Sequence, residues 1–178
     1  MTWDRMNFTI VAAVLGVISG SASAQQLIWS DEFNGSSLDL TKWEPMIGNG
    51  QAYGIAGWGN NELEYYTDRP QNITVAGGTL TITARQENYA GYGYTSARLR
   101  TQGLADFRYG RIEASLKLPS TQGIWPAFWM LPTNSIYGGW ASGGEIDIME
   151  KINTQQITHG TLHFGGQWPN NNYAGNSY

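Results

Sequence analysis

Three carboxylates stand within six residues in the run Gly143-Gly144-Glu145-Ile146-Asp147-Ile148-Met149-Glu150, which has no helical periodicity. Carboxylates brought this close cannot all ionise freely, so they divide into protonated and ionised roles suited to acid, base or nucleophile work. In a strand, Glu145 and Asp147 share one face, while Ile146 and Ile148 take the other and can pack into a core. Glu150 then falls on the wrong side. A single β-bulge, with Met149 as the extra residue, returns it to the face of Glu145 and Asp147. The two glutamate Cα atoms then lie about 13 Å apart at roughly 3.3 Å per residue. Side chains leaning together bring the carboxyls to about 5 to 6 Å, the spacing for double displacement at an acetal carbon. In that chemistry Glu145 attacks, Glu150 donates and later recovers a proton, and Asp147 tunes the pair. A calcium loop would instead want Asn, Asp or Gly at alternate positions, where this run has Ile, Ile and Met.

The elements that must hold such a site read as β-structure. The chain has 178 residues, with 41% hydrophobic and 13% aromatic residues, 23 glycines, eight tryptophans and no cysteine. That suffices for one globular domain, and the Gly and aromatic content indicates strands joined by many turns. A net charge of -4 argues against nucleic acid as a partner and suits a neutral ligand. Without cysteine there is no disulfide and no thiolate metal site. The apolar run 10–18 is too short to span a bilayer comfortably, and Ala22-Ser23-Ala24 supplies a cleavage pattern. Residues 1–24 therefore read as a secretory signal and 25–178 as the folded domain, secreted, monomeric and free of the membrane after signal removal.

Further along, residues 27–35 read as a short strand entering a turn. Trp58-Gly59-Asn60-Asn61-Glu62-Leu63-Glu64-Tyr65-Tyr66 sets amides beside aromatics in a Gly-flanked loop. Amides match sugar hydroxyls as donor and acceptor, and rings cover the C–H face of a pyranose. Residues 73–76 and 79–84 alternate apolar side chains with Thr around Gly77-Gly78, a two-residue hairpin signal. Residues 96–101 and 109–119 follow as strands, the second with Ile112, Ala114, Leu116 and Leu118 inward. The run Ile124-Trp125-Pro126-Ala127-Phe128-Trp129-Met130-Leu131 reads as a strand covered on both sides, with Pro126 at a bulge or edge. Trp125 and Trp129 share its face about 13 Å apart, a floor for two or three sugar rings. Residues 157–166 read as the strand beside the acids. His159 and His163 within it are too far apart on a strand to chelate one ion. Residues 168–178 read as a polar loop.

The acidic run resembles the active-site signature of glycoside hydrolase family 16 in its bulged form, as in endo-β-1,3-glucanases and some galactan hydrolases. The likeness covers most of 27–168. It implies an all-β fold, a two-sheet antiparallel sandwich of jelly-roll, concanavalin A-like type, incomplete at the C-terminus because family domains continue further. Strand edges and apolar faces left open that way predict instability or aggregation. The resemblance also implies retaining endo-hydrolysis of β-1,3-glucan, with Glu145 nucleophile, Glu150 acid/base and Asp147 assisting acid. Agarase, carrageenase or mixed-linkage activity, a non-catalytic glucan-binding protein and an inactive fragment are the alternatives. By the same resemblance Asn60, Arg98, Trp125, Trp129 and His163 contact substrate, with His163 near the acid/base. Glu32, in Trp29-Ser30-Asp31-Glu32-Phe33, would help bind a structural calcium. Catalysis by carboxylates of this kind requires no cofactor.

Overall fold

The computed structural model describes residues 26–178, so the leader expected over 1–24 lies outside the described residues. The described residues divide between a first unit that ends at Ser30 and a second, compact one over 31–178. In the first, residues 26–30 have no regular secondary structure. The second carries β1 (Glu44–Pro45), 3-10 turns at Gln51–Tyr53 and Ala56–Gly59, then β2 (Glu64–Tyr66), β3 (Ile73–Ala76) and β4 (Thr79–Ile82). It continues through β5 (Arg85–Tyr89), β6 (Tyr92–Ser96), β7 (Leu99–Arg100) and β8 (Ala127–Met130). The acidic strand β9 (Glu145–Glu150), β10 (His159–Gly165) and β11 (Asn171–Ser177) complete it.

The architecture is all-β, as expected. A four-stranded antiparallel sheet has the order β11-β10-β9-β8, beside a three-stranded sheet β2-β6-β5 and the pairs β3-β4 and β1-β7. One pair departs from the antiparallel expectation, β2 running parallel to β6. The β3-β4 hairpin forms where Gly77-Gly78 predicts it, Ala76 facing Thr79. Both glycines have positive φ, 57° and 73°, as a two-residue turn matching strand twist requires. Ile73 and Val75 are buried beneath it, while Thr74, Thr79 and Thr81 face out.

A buried polar network joins this hairpin to the three-stranded sheet. Asn72, wholly buried, donates to the Thr83 carbonyl and Thr95 Oγ1 and accepts from Thr67 Oγ1 and Arg69 Nη2. Arg69 and Thr95 both reach Glu87 Oε1 at 2.5 Å. Every polar group of the Asn72 amide is thereby matched, which is what burial demands.

Four sequence expectations need correction. Residues 27–35 and 109–119 form no strand. Alternation marks which residues could line a face, but a strand exists only where a neighbour completes its ladder, and neither segment has one among the described residues. Of the expected inward face, Ala114 and Leu116 are exposed. The apolar run 124–131 yields only the four residues of β8, an edge strand, with Pro126 just outside it. Finally, 168–178 is no loop, since seven of its residues form β11 along the whole of β10. Asn and Gly disfavour strands intrinsically, and here the exposed edge of β10 overrides that preference.

Candidate active site

Gly144, with φ of 82°, turns the chain into β9 through a conformation that a side chain would resist. From there the pairing with β10 shows where the acids point. Glu145 faces His163, Asp147 faces Thr161 and Glu150 faces His159. His159, Thr161 and His163 alternate regularly along β10 and share one face, so the three acids opposite them share it too. A bulge makes this possible. Two residues of β9, Ile148 and Met149, stand opposite Gly160 alone. On the β8 side Met149 faces Phe128 and Asp147 faces Trp129, so the unpaired residue is Ile148 and not Met149 as expected. The opposite face carries Ile146 and Ile148, which the sequence reading buries but which are 45% and 36% exposed.

The acids are linked to one another and to aromatic donors. Asp147, only 4% exposed, hydrogen-bonds Glu145 and lies 3.2 Å from His163 Nε2. Trp140 Nε1–H donates to Glu145 Oε2. Trp125 Nε1–H donates to Glu150 Oε1 at 2.8 Å. Burial, reinforced by the charges of Glu145 and Glu150, pushes the Asp147 carboxyl up to about 7 against the pull of His163. Burial also raises Glu145, opposed by the hydrogen bonds from Trp140 and Asp147 and by the charge of Arg98. A carboxyl protonated near neutrality beside one that is supplied with donors is the division of roles that acid/base chemistry uses.

Arg98 stands between two indoles, its guanidinium carbon 4.7 Å from the ring centroids of both Trp58 and Trp129. Its Nη1 is 4.0 Å from Glu62 Oε1. Trp129 faces Asp147 across the β8-β9 ladder, so this stack brings Arg98 to the acidic face. Trp125, predicted to share a strand with Trp129, precedes β8; its ring is 60% exposed while its N–H is held by Glu150. His163 sits beside Asp147 and opposite Glu145 on the acidic face. Asn60 is exposed at the end of its 3-10 turn and bonds Glu62, itself next to Arg98. Glu32 is exposed, and no group of three or more His, Cys, Asp or Glu side chains able to hold a metal forms among the described residues.

Sequence reasoning passed over Trp140, and it quoted Trp58 and Glu62 within a sugar-facing loop without giving either a role of its own. Trp58 is buried, its N–H on the Gly48 carbonyl and its ring under Arg98. Glu62 accepts from Tyr66 at 2.7 Å, and burial holds its carboxyl above the usual range. The signal for Trp140 was a lone indole in the Gly-rich run five residues before Glu145.

A family model described as XgeA-like, catalytic GH16 domain, matches residues 56–176. The chain is 49% identical over 150 residues to a beta-glucanase of Rhodothermus marinus, covering 82% of this chain and 50% of that protein. It is 42% identical over 170 residues to glucan endo-1,3-beta-glucosidase A1 of Niallia circulans, covering 88% of this chain and 24% of that one. Among solved structures, the laminarinase catalytic domain from Thermotoga maritima MSB8 matches with a TM-score of 0.78 and 46% identity, over 86% of this chain and 62% of that chain. The chain thus spans between 24% and 62% of the length of these relatives.

Proposed function

Because the chain belongs to glycoside hydrolase family 16, we propose that it provides the acid-bearing part of a secreted endo-hydrolase of β-1,3-glucan that works with retention. The observation that carries this reading is the bulged strand β9, which turns Glu145, Asp147 and Glu150 to one face. The glucanase names of the relatives support the substrate class, and the apolar run 10–18 with Ala22-Ser23-Ala24 supports secretion.

In this mechanism the Glu145 carboxylate attacks the anomeric carbon while Glu150 gives its proton to the departing glycosidic oxygen, leaving a glycosyl ester on Glu145. Water then adds to the same carbon. Glu150, now ionised, takes the water's proton, and the ester bond breaks to restore the Glu145 carboxylate. Asp147 keeps a proton available to Glu145 and stabilises it when it leaves as an anion. No step calls on a metal or cofactor. Arg98 and Trp129 provide donors and a ring face beside the acids, and the exposed Trp125 ring extends that face. Asn60 would take a sugar hydroxyl beyond Arg98.

Reducing-sugar release from laminarin, lichenan and agarose tests the proposal. Laminarin is expected to be hydrolysed fastest, with the β-anomer released first in a proton NMR time course. Preference for lichenan or agarose would transfer the substrate class, and first release of the α-anomer would refute retention.

A further inference from the structure

Beyond the three acids, and resting on the glycosidase reading above, we propose that Trp140 is the positioning residue for Glu145, its indole N–H holding the nucleophile as an oriented anion. The N–H donates to Glu145 Oε2. It is therefore engaged by the enzyme's own carboxylate and not offered to a substrate. The ring is held as well as the donor: its centroid lies 5.4 Å from that of His163, tilted by 47°. His163 in turn faces Glu145 in the ladder and lies 3.2 Å from Asp147, so the indole that holds the nucleophile also packs against the histidine beside it.

The segment behind Trp140 has little freedom to shift. Ala141 is fully buried, and its carbonyl accepts from Gly144 N–H at 2.9 Å. A Cβ on Gly143 would meet Pro132 Cγ at 2.9 Å, so a larger residue at that point of the turn from Trp140 to Glu145 would force the proline ring or the turn to shift. A donor fixed on a rigid turn and aimed at a carboxylate favours the ionised form and one rotamer of it, both of which nucleophilic attack requires.

The full chain would be assayed on laminarin as the wild type, as Trp140→Phe and with the sulfur isostere benzothienylalanine at position 140. The isostere keeps the bicyclic ring and lacks only the N–H, so it decides the matter if the phenylalanine variant misfolds by circular dichroism. Loss of the donor is expected to lower kcat by about 10- to 100-fold, the scale of a hydrogen bond to a charged group. KM should stay nearly constant, and the acidic limb of the kcat/KM profile should move to higher pH, because an anion without its donor protonates more readily. An unmoved acidic limb with a raised KM makes Trp140 a sugar-stacking ring and overturns the role while leaving the glycosidase reading intact. A wild type inert on laminarin, lichenan and agarose overturns both.

Discussion

Asp147 is a nearly buried carboxyl held among other acids. Burial and the neighbouring acids push its carboxyl up to about 7 in the folded protein, above the ordinary aspartate value of about 3.9, so between those limits the native state holds a proton that the unfolded chain releases. Unfolding free energy should therefore fall as pH rises from about 4 to about 7, since stability falls with pH wherever the native state binds more protons. Urea titrations across this window should show the decline, and Asp147→Asn should flatten it. A slope unchanged by that substitution would mean that Asp147 is not the group responsible. The glutamates answer a different question. Glu145→Gln and Glu150→Gln should each lower turnover on laminarin by about three orders of magnitude or more with the fold retained, because removing one member of a concerted set disables the whole. Near-normal kcat in either would remove the double-displacement mechanism.

At the scale of elements, two devices locate these residues. The first is the bulge at Ile148-Met149, where a residue unmatched on β8 is absorbed so that Glu150 rejoins the face of Asp147. The second is the network around Asn72, which ties β3 and β4 to the sheet that contains β6, the strand ending two residues before Arg98. Asn72→Ala would leave the Thr83 carbonyl, Thr67, Arg69 and Thr95 without their buried partner. It should cost about 2 to 3 kcal/mol in urea denaturation, the scale of buried polar groups left unmatched. A change below about 0.5 kcal/mol, the range of ordinary surface substitutions, would mean that the network relaxes or hydrates instead.

Across the whole molecule, the four-stranded sheet has two faces of opposite character. One carries the acids, His163 and Trp129. The other exposes Ile146, Ile148, Leu162 and Phe164, between 36% and 48% each. Leu162 pairs with Ile146, so these side chains adjoin across the ladder as one apolar surface. Such a surface drives association in water. The chain should bind a hydrophobic dye and scatter light increasingly with concentration, and Leu162→Thr with Phe164→Thr should reduce both while leaving the acidic face untouched. Scattering unchanged by the double substitution would place the association elsewhere.

Much of the site was legible without coordinates because it depends on parity. Two isoleucines alternating with Glu145 and Asp147 imply a strand, and the extra residue before Glu150 implies a bulge, since any other arrangement separates the acids. The Gly77-Gly78 turn was readable for the same local reason. Position within the bulge, and which segments become strands, were not. Residues 109–119 alternate well yet pair with nothing described, whereas the Asn- and Gly-rich 171–177 pairs with β10 throughout. Pairing is a property of two segments, and one segment's composition does not contain it. The indoles make the same point: sequence marks Trp125 and Trp140 as aromatic, but only the tertiary structure aims their N–H groups at Glu150 and Glu145. A hydrogen bond depends on the direction and distance between its two groups, and those are decided only when the chain has folded around them.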